Sequence, residues 1–347
     1  MKGIKSVLIP STLLIAGALS SCSLRINSSL GSASSNGAAS SNAQVSSEAG
    51  SASTSSSSEN ASSAAPSSSS AAASSSSAAS SINASSEASE DYVPAGYSLK
   101  WSDEFSGTAL DSSSWSAQVG DGSDYGITGW GNGEAEDYTA DNATVSAGVL
   151  HITAVKESTT YNNTNYQYTS ARLRTSGKVF KTYGYIEAKI KLPAVKGLWP
   201  AFWMLPESNY ENRGWPTSGE IDIMENKGRE TYKVGGTTHS ANSNYGDAYH
   251  TGSTTLASSI ENWHIYGVEW TDEAIAFSVD GVVYNTVSRD TWVNDCALYE
   301  GGPAPFNKPF HLILNLAVGG QYDGYTLPPS SFSSAEMLVD YVRIYQA

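Results

Sequence analysis

Cysteine is nearly missing from this 347-residue chain, which holds only Cys22 and Cys296. Two cysteines close at most one bridge, so a disulfide-stapled scaffold is excluded and any folded part must rest on its apolar core. Positive charge is scarce too: 19 Lys and Arg stand against 34 Asp and Glu, a formal net charge of -15. That balance excludes nucleic acid and disfavours anionic partners generally, whereas a neutral partner is indifferent to it. No long stretch carries a capped 3.6-residue period, which argues against a helical architecture.

What is present divides sharply along the chain. Residues 1–22, MKGIKSVLIPSTLLIAGALSSC, place Lys2 and Lys5 before an apolar run and then small residues. That order reads as a secretory signal peptide, with an apolar run too short for a comfortable membrane span. The ending Leu19-Ser20-Ser21-Cys22 resembles a bacterial lipobox, in which the cysteine is lipidated and becomes the mature N-terminus. Its implication is an exported protein, lipid-anchored to a bacterial membrane through Cys22, with Cys296 left unpaired. No base accompanies Cys296, so it reads as a small apolar residue. Residues 23–92 form a Ser/Ala-rich segment, nearly half serine up to Glu90. Such a composition buries too little apolar surface to offset ordering entropy. As a coil it would span roughly 45 Å, a tether for a domain at 93–347.

In that domain the period is two. In TYGYIEAKIKLP, Ile186, Ala188, Ile190 and Leu192 alternate with Tyr185, Glu187, Lys189 and Lys191. WHIYGVEW, IAFSVDGVVYNTV, PFHLILNLAVGG and MLVDYVRIYQ are further strands, and Asp280-Gly281 between two β-rich runs signals a hairpin. Many short strands with Gly-rich turns predict one all-β domain, a sandwich or barrel. In PFHLILNLAVGG one face is Leu312, Leu314, Leu316 and Val318; His311, Ile313, Asn315 and Ala317 form the other, an ordinary sheet exterior or a groove floor. All nine tryptophans lie beyond Lys100. Aromatic faces stack on sugar rings, although core packing also uses them.

SGEIDIMENKG carries Glu220, Asp222 and Glu225 within six residues. On a regular strand Glu220 and Asp222 share a face and Ile221 and Ile223 point inward, which sends Glu225 inward as well. A buried carboxylate is costly, and a β-bulge at Ile223-Met224 would return Glu225 to the face of the other two acids. Three carboxylates so close cannot all ionise freely, and a pair with separated pKa values supplies a nucleophile and a general acid, as retaining glycoside hydrolysis requires. From the strand alone, a calcium site or a plain acidic patch remains open.

GEIDIMEN, with the upstream YTSARLRT, YGYIEAKIKLP and GLWPAFWMLP, resembles glycoside hydrolase family 16, and within it the laminarinase-like endo-β-1,3-glucanases. The resemblance runs from LKWSDEFSGTALD to VDYVRIYQ. It implies a β-jelly-roll sandwich of two antiparallel sheets with a concave substrate groove. It also implies a retaining double displacement: Glu220 as nucleophile, Glu225 as general acid and base, Asp222 as the assisting carboxylate. Met224 fits the bulged laminarinase form rather than the shorter lichenase form.

GWGNGEAEDYT resembles a substrate-side segment of the family and makes Asn132 a sugar contact, with departures at Gly133, Ala135 and Asp137. Arg172 matches a substrate-contacting arginine; Trp199, Trp203 and Trp215 match groove tryptophans; His239 matches a histidine near the acid/base. Core packing rivals the tryptophan assignments, and a structural hydrogen bond rivals that of His239. The family's structural calcium site maps to Glu104, Gly148 and Asp340, oxygen donors suited to Ca²⁺. No cofactor is needed for the chemistry, and a monomer is expected. The partner implied is a β-glucan polysaccharide, laminarin-like. Mixed-linkage β-1,3-1,4-glucan, a galactan, and a non-catalytic β-glucan-binding role are the alternatives.

Overall fold

The computed structural model describes residues 92–347; the signal peptide, Cys22 and nearly all of the Ser/Ala-rich segment lie outside the described residues. Two large sheets, almost wholly antiparallel, face each other. One takes the strands Val282–Ser288, Ala274–Val279, His264–Trp270, Gly184–Lys191, Ser334–Gln346 and Val149–Val155 in that spatial order. The other runs Asp247–Thr255, Lys233–Ala241, Glu220–Glu225, Leu198–Pro206, Phe310–Val318, Arg172–Arg174 and Ser116–Gln118. This is the expected sandwich, and the acids sit on a central strand of the second sheet.

The alternations set the core. Ile186, Ala188 and Ile190 from the first sheet meet Ile221, Leu312, Leu314, Leu316 and Val318 from the second, all buried. Burying one such side chain fully stabilises by about 1.5–3 kcal/mol relative to exposure. The Phe310–Val318 strand is buried on both faces, because its second face is covered by groove side chains. Asp280 and Gly281 both take positive φ, 49° and 75°, which a two-residue hairpin of primed type demands. Gly281 has a second reason to be glycine: a Cβ there would lie 2.2 Å from the Tyr92 ring.

Tyr185 and Glu187, which alternate with Ile186 and Ala188, are buried as well, on the outer face of the first sheet. Tyr345, paired with Tyr185 in register on the Ser334–Gln346 strand, roofs them, its ring 6.1 Å from that of Tyr185 and its hydroxyl 3.3 Å from Glu187. The residues expected to hold calcium have partners of their own. Glu104 accepts two hydrogen bonds from Arg343, both 2.9 Å, and Asp340 lies 2.9 Å from Lys189 Nζ. Gly148 sits in a turn at φ 79°. In this structure both carboxylates therefore pair with a cationic side chain.

One short helix among the described residues, Arg289–Asp295, was not anticipated. It buries Trp292 edge-on against Phe306, with ring centroids 5.1 Å apart. Cys296 follows it and packs with Ala241, Tyr299 and Ala304, as a small apolar residue should.

Candidate active site

The acidic strand is bulged where the alternation requires. Asp222 pairs with Thr237 and Glu225 with Gly235, so Ile223 and Met224 together oppose Gly236 alone. Against the other neighbour, Asp222 pairs with Trp203 and Met224 with Phe202, leaving Ile223 as the extra residue. Ile223 and Met224 both enter the core, and Glu225 joins Glu220 at one cavity. The neighbouring strand accommodates this through Gly236. A Cβ there would lie 2.6 Å from the Phe277 ring and 2.7 Å from the Tyr284 hydroxyl.

The cavity, of about 390 Å³, is lined by Glu220, Glu225, His239, Trp199, Trp215 and Asn132, among others. Asp222 lies beneath it, 3% exposed. His239 stands opposite Glu220 in register and lies between two carboxylates, Asp222 at 3.2 Å and Asp247 at 3.0 Å. Burial works against its charge, but the hydrogen bonds to Asp222 and Asp247 outweigh burial and push its pKa up to about 11. It is therefore an imidazolium at neutral pH. Glu220, Asp222 and His239 bring donor atoms within 4.8 Å of one another.

Burial, then the charge of Asp222, pushes Glu225 up to about 8, while His239 and the Trp199 indole pull the other way. Burial and Asp222 likewise hold Glu220 well above the ordinary carboxylate range, with His239 opposing. These acids cost stability. A carboxyl whose folded pKa is raised contributes most below its unfolded value, and stability is lost as pH rises from there through the folded pKa. For Glu225 the window runs from 4.5 to about 8. Glu225→Gln is therefore expected to be more stable than the parent at pH 7.5, by about 2–3 kcal/mol, and nearly equal to it at pH 4. Denaturant titrations at the two pH values check this; equal differences at both would refute it.

The other expected site residues divide. Trp199 Nε1 donates to Glu225 Oε1 at 2.9 Å. Trp215 is 57% exposed, tilts toward His239 at 5.8 Å, and borders both this cavity and a second of about 250 Å³. Asn132 lines the first cavity, and its Nδ2 donates to Glu134 Oε1 at 3.2 Å. Arg172 faces the second cavity instead. It is 4% exposed, its guanidinium lies between the Trp130 and Trp203 rings at 4.6 and 4.7 Å, and its Nε donates to Gln118. Trp203 borders neither cavity; its Nε1 donates to Asn315 Oδ1 at 2.8 Å, and it holds Arg172 from below.

Sequence reasoning missed Asp247, Tyr322 and a buried network beneath Asn132. There the Tyr138 hydroxyl donates to Glu134 at 2.8 Å and accepts from Asn315 at 3.0 Å, while the Val318 amide donates to Glu136 at 2.8 Å. Burial, then neighbouring Glu134, drives Glu136 well above the usual range. A signal for Tyr322 existed, since Gly319-Gly320 directly after a buried strand marks a turn at the groove edge.

Comparison with known proteins agrees with this geometry. The family pattern described as glycosyl hydrolases family 16 matches residues 134–342. Glucan endo-1,3-beta-glucosidase A1 of Niallia circulans is 39% identical over 269 residues, covering 74% of this chain and 39% of that protein. The Beta-glucanase of Rhodothermus marinus is 40% identical over 257 residues, covering 72% of this chain and 85% of that one. Among solved structures, the laminarinase catalytic domain of Thermotoga maritima MSB8 is similar with a TM-score of 0.65 and 41% identity, over 72% of this chain and 98% of that one. The bulged acidic strand, the two facing sheets and these matches together place the chain in glycosyl hydrolases family 16, to which it belongs.

Proposed function

We propose that the chain is a retaining endo-β-1,3-glucanase whose substrate lies across the two cavities that share Trp215. The exposed indole of Trp215 offers a stacking face for a pyranose ring. Asn132 and Trp199 contact the glucan in the acid-lined cavity, and Arg172 frames the second.

The observation that carries the reading is Glu225, turned by the bulge to the cavity of Glu220, where burial and then Asp222 push its pKa up to about 8. Glu225 protonates the departing glycosidic oxygen while Glu220 attacks the anomeric carbon, giving a covalent glycosyl-enzyme. Glu225, now ionised, removes a proton from water, which attacks the same carbon and releases Glu220. Burial raises Glu220 too, so its charge must be favoured when it acts. The His239 imidazolium and the positive charge developing on the sugar both favour it. Asp222 links the two as a hydrogen-bond partner of His239 and Glu220.

Product analysis on laminarin, lichenan, curdlan and agarose tests the assignment. Laminarin and curdlan are expected to yield short β-1,3-oligosaccharides whose first-formed ends are β-anomers. Agarose as the preferred substrate, or α-anomers appearing first, would overturn it.

We also read the protein as exported and lipid-anchored. The lysines, apolar run and Leu19-Ser20-Ser21-Cys22 order support that reading. Cys22→Ser should move the chain from the membrane fraction to the soluble one.

A further inference from the structure

Tyr322 belongs to a loop that neither the motifs nor the family pattern's chemistry brought forward. It follows the buried strand Phe310–Val318 and is held from three directions. The Gln321 amide donates to the Asn132 carbonyl at 2.8 Å, the Tyr325 amide closes back on the Gly320 carbonyl at 2.8 Å, and the buried Asp323 carboxylate pairs with Arg229. Arg229 sits just past the acidic strand, so the pair ties this loop to the segment that carries Glu225 onward. Within the loop, Tyr322 stacks on Trp199, with ring centroids 5.0 Å apart and an interplanar angle of 27°. Lys227 Nζ lies 4.7 Å from the Tyr322 ring centroid. Gly320, at φ 84°, leaves room beside the same indole; a Cβ there would lie 3.0 Å from its ring. The indole so held donates from Nε1 to Glu225 Oε1 at 2.9 Å.

We propose that Tyr322 is a positioning residue for Glu225: its stack on Trp199 fixes the indole so that the N–H points at the carboxyl oxygen. The proposal rests on the reading of Glu225 as the general acid. A planar indole on a sheet has alternative rotamers, and only one directs Nε1 to Glu225; a stacked ring selects among them without touching the acid. The consequence is chemical. An N–H donor favours the ionised carboxylate and offsets part of the rise that burial imposes.

Other groups also act on Glu225. Asp222 raises its pKa from the same strand; His239 and Lys227 lower it from the neighbouring strand and from beyond the strand end. Glu220 lies in the same cavity, and burial, then the charge of Glu225, raises the Tyr284 and Tyr322 hydroxyls. Against that background the indole bond is a separable contribution, because it depends on a ring orientation rather than on a charge.

The test is the high-pH limb of kcat/KM on laminarin, where the general acid loses its proton. Losing the indole bond raises the Glu225 pKa, so the limb should move up. A hydrogen bond to a charged group supports a shift of about one pH unit. Trp199→Phe and Tyr322→Leu are both expected to show it, whereas Tyr322→Phe, which keeps the stack, should hold the limb in place. The Trp199→Phe/Tyr322→Leu double variant should move no further than Trp199→Phe, since both act through one bond. An unmoved limb in Tyr322→Leu, or additive shifts in the double variant, would overturn the proposal. An NMR titration of the ¹³C-labelled Glu225 carboxyl reads the same shift without turnover, so slow variants remain informative. Failure of the underlying reading looks different: Glu225→Gln would then stay active on laminarin.

Discussion

Glu220→Gln is expected to slow hydrolysis of laminarin by about 10⁴-fold or more, because the covalent route loses its nucleophile. Glu225→Gln should slow it by about 10²–10⁴-fold, the usual contribution of a positioned general acid. The losses alone do not assign the roles, but stereochemistry does. In Glu220→Ala, azide can occupy the vacated space and attack the anomeric carbon from that side while Glu225 still protonates the leaving oxygen. One displacement inverts, so an α-glycosyl azide should form. In Glu225→Ala, an aryl β-glucoside with a good leaving group needs no acid and still forms the glycosyl-enzyme with Glu220. Azide then attacks from the opposite face, and two displacements give a β-glycosyl azide. Mass spectrometry and NMR of the two products decide the matter. Exchanged anomers would reverse the roles of Glu220 and Glu225, and near-parental activity in either Gln variant would remove that residue from the mechanism.

The arrangement that supports this was legible in the sequence for a physical reason. Ile221 and Ile223 fix the inward face of the acidic strand, and a carboxylate at 225 cannot go inward with them, so period and charge together require a bulge. The register shift between Asp222 and Glu225 is that bulge. The Asp280-Gly281 turn was legible because two consecutive positive φ angles belong to few residue pairs. What could not be read depends on strands far apart in sequence. Tyr345 comes from the C-terminal strand to roof Glu187, and no local period reports that cover. Arg343 and Lys189 neutralise Glu104 and Asp340 through pairing that only the folded sheet sets, so residue types copied from a resemblance did not show that both carboxylates carry cations. Trp199 and Trp203 stand four residues apart in one motif. Only the folded structure shows that the first donates to Glu225 and the second to Asn315.

His239→Leu is expected to lower stability by about 3 kcal/mol near pH 6.5, a value typical of breaking a buried ion pair from one side. Asp222, 3% exposed, would lose its imidazolium partner and be left facing Glu220. The sign of the pH dependence follows from the direction of the His239 shift. Its folded pKa, about 11, stands above the ordinary 6.5, so its contribution is full below 6.5 and is lost as pH rises toward 11. The stability gap between parent and variant should thus narrow by more than ~1 kcal/mol between pH 6.5 and pH 9.5. Activity should shift in the same experiment. His239 lowers the pKa of both Glu220 and Glu225, so without it both limbs of the pH–rate profile move upward. The low-pH limb moves because Glu220 must ionise to attack, and the high-pH limb because Glu225 must keep its proton to donate it. Urea unfolding at the two pH values, with kcat/KM across the range, provides both readings. A gap of constant size would mean that His239 is neutral between its two aspartates. The charge that holds Glu220 ready would then have to come from the substrate alone.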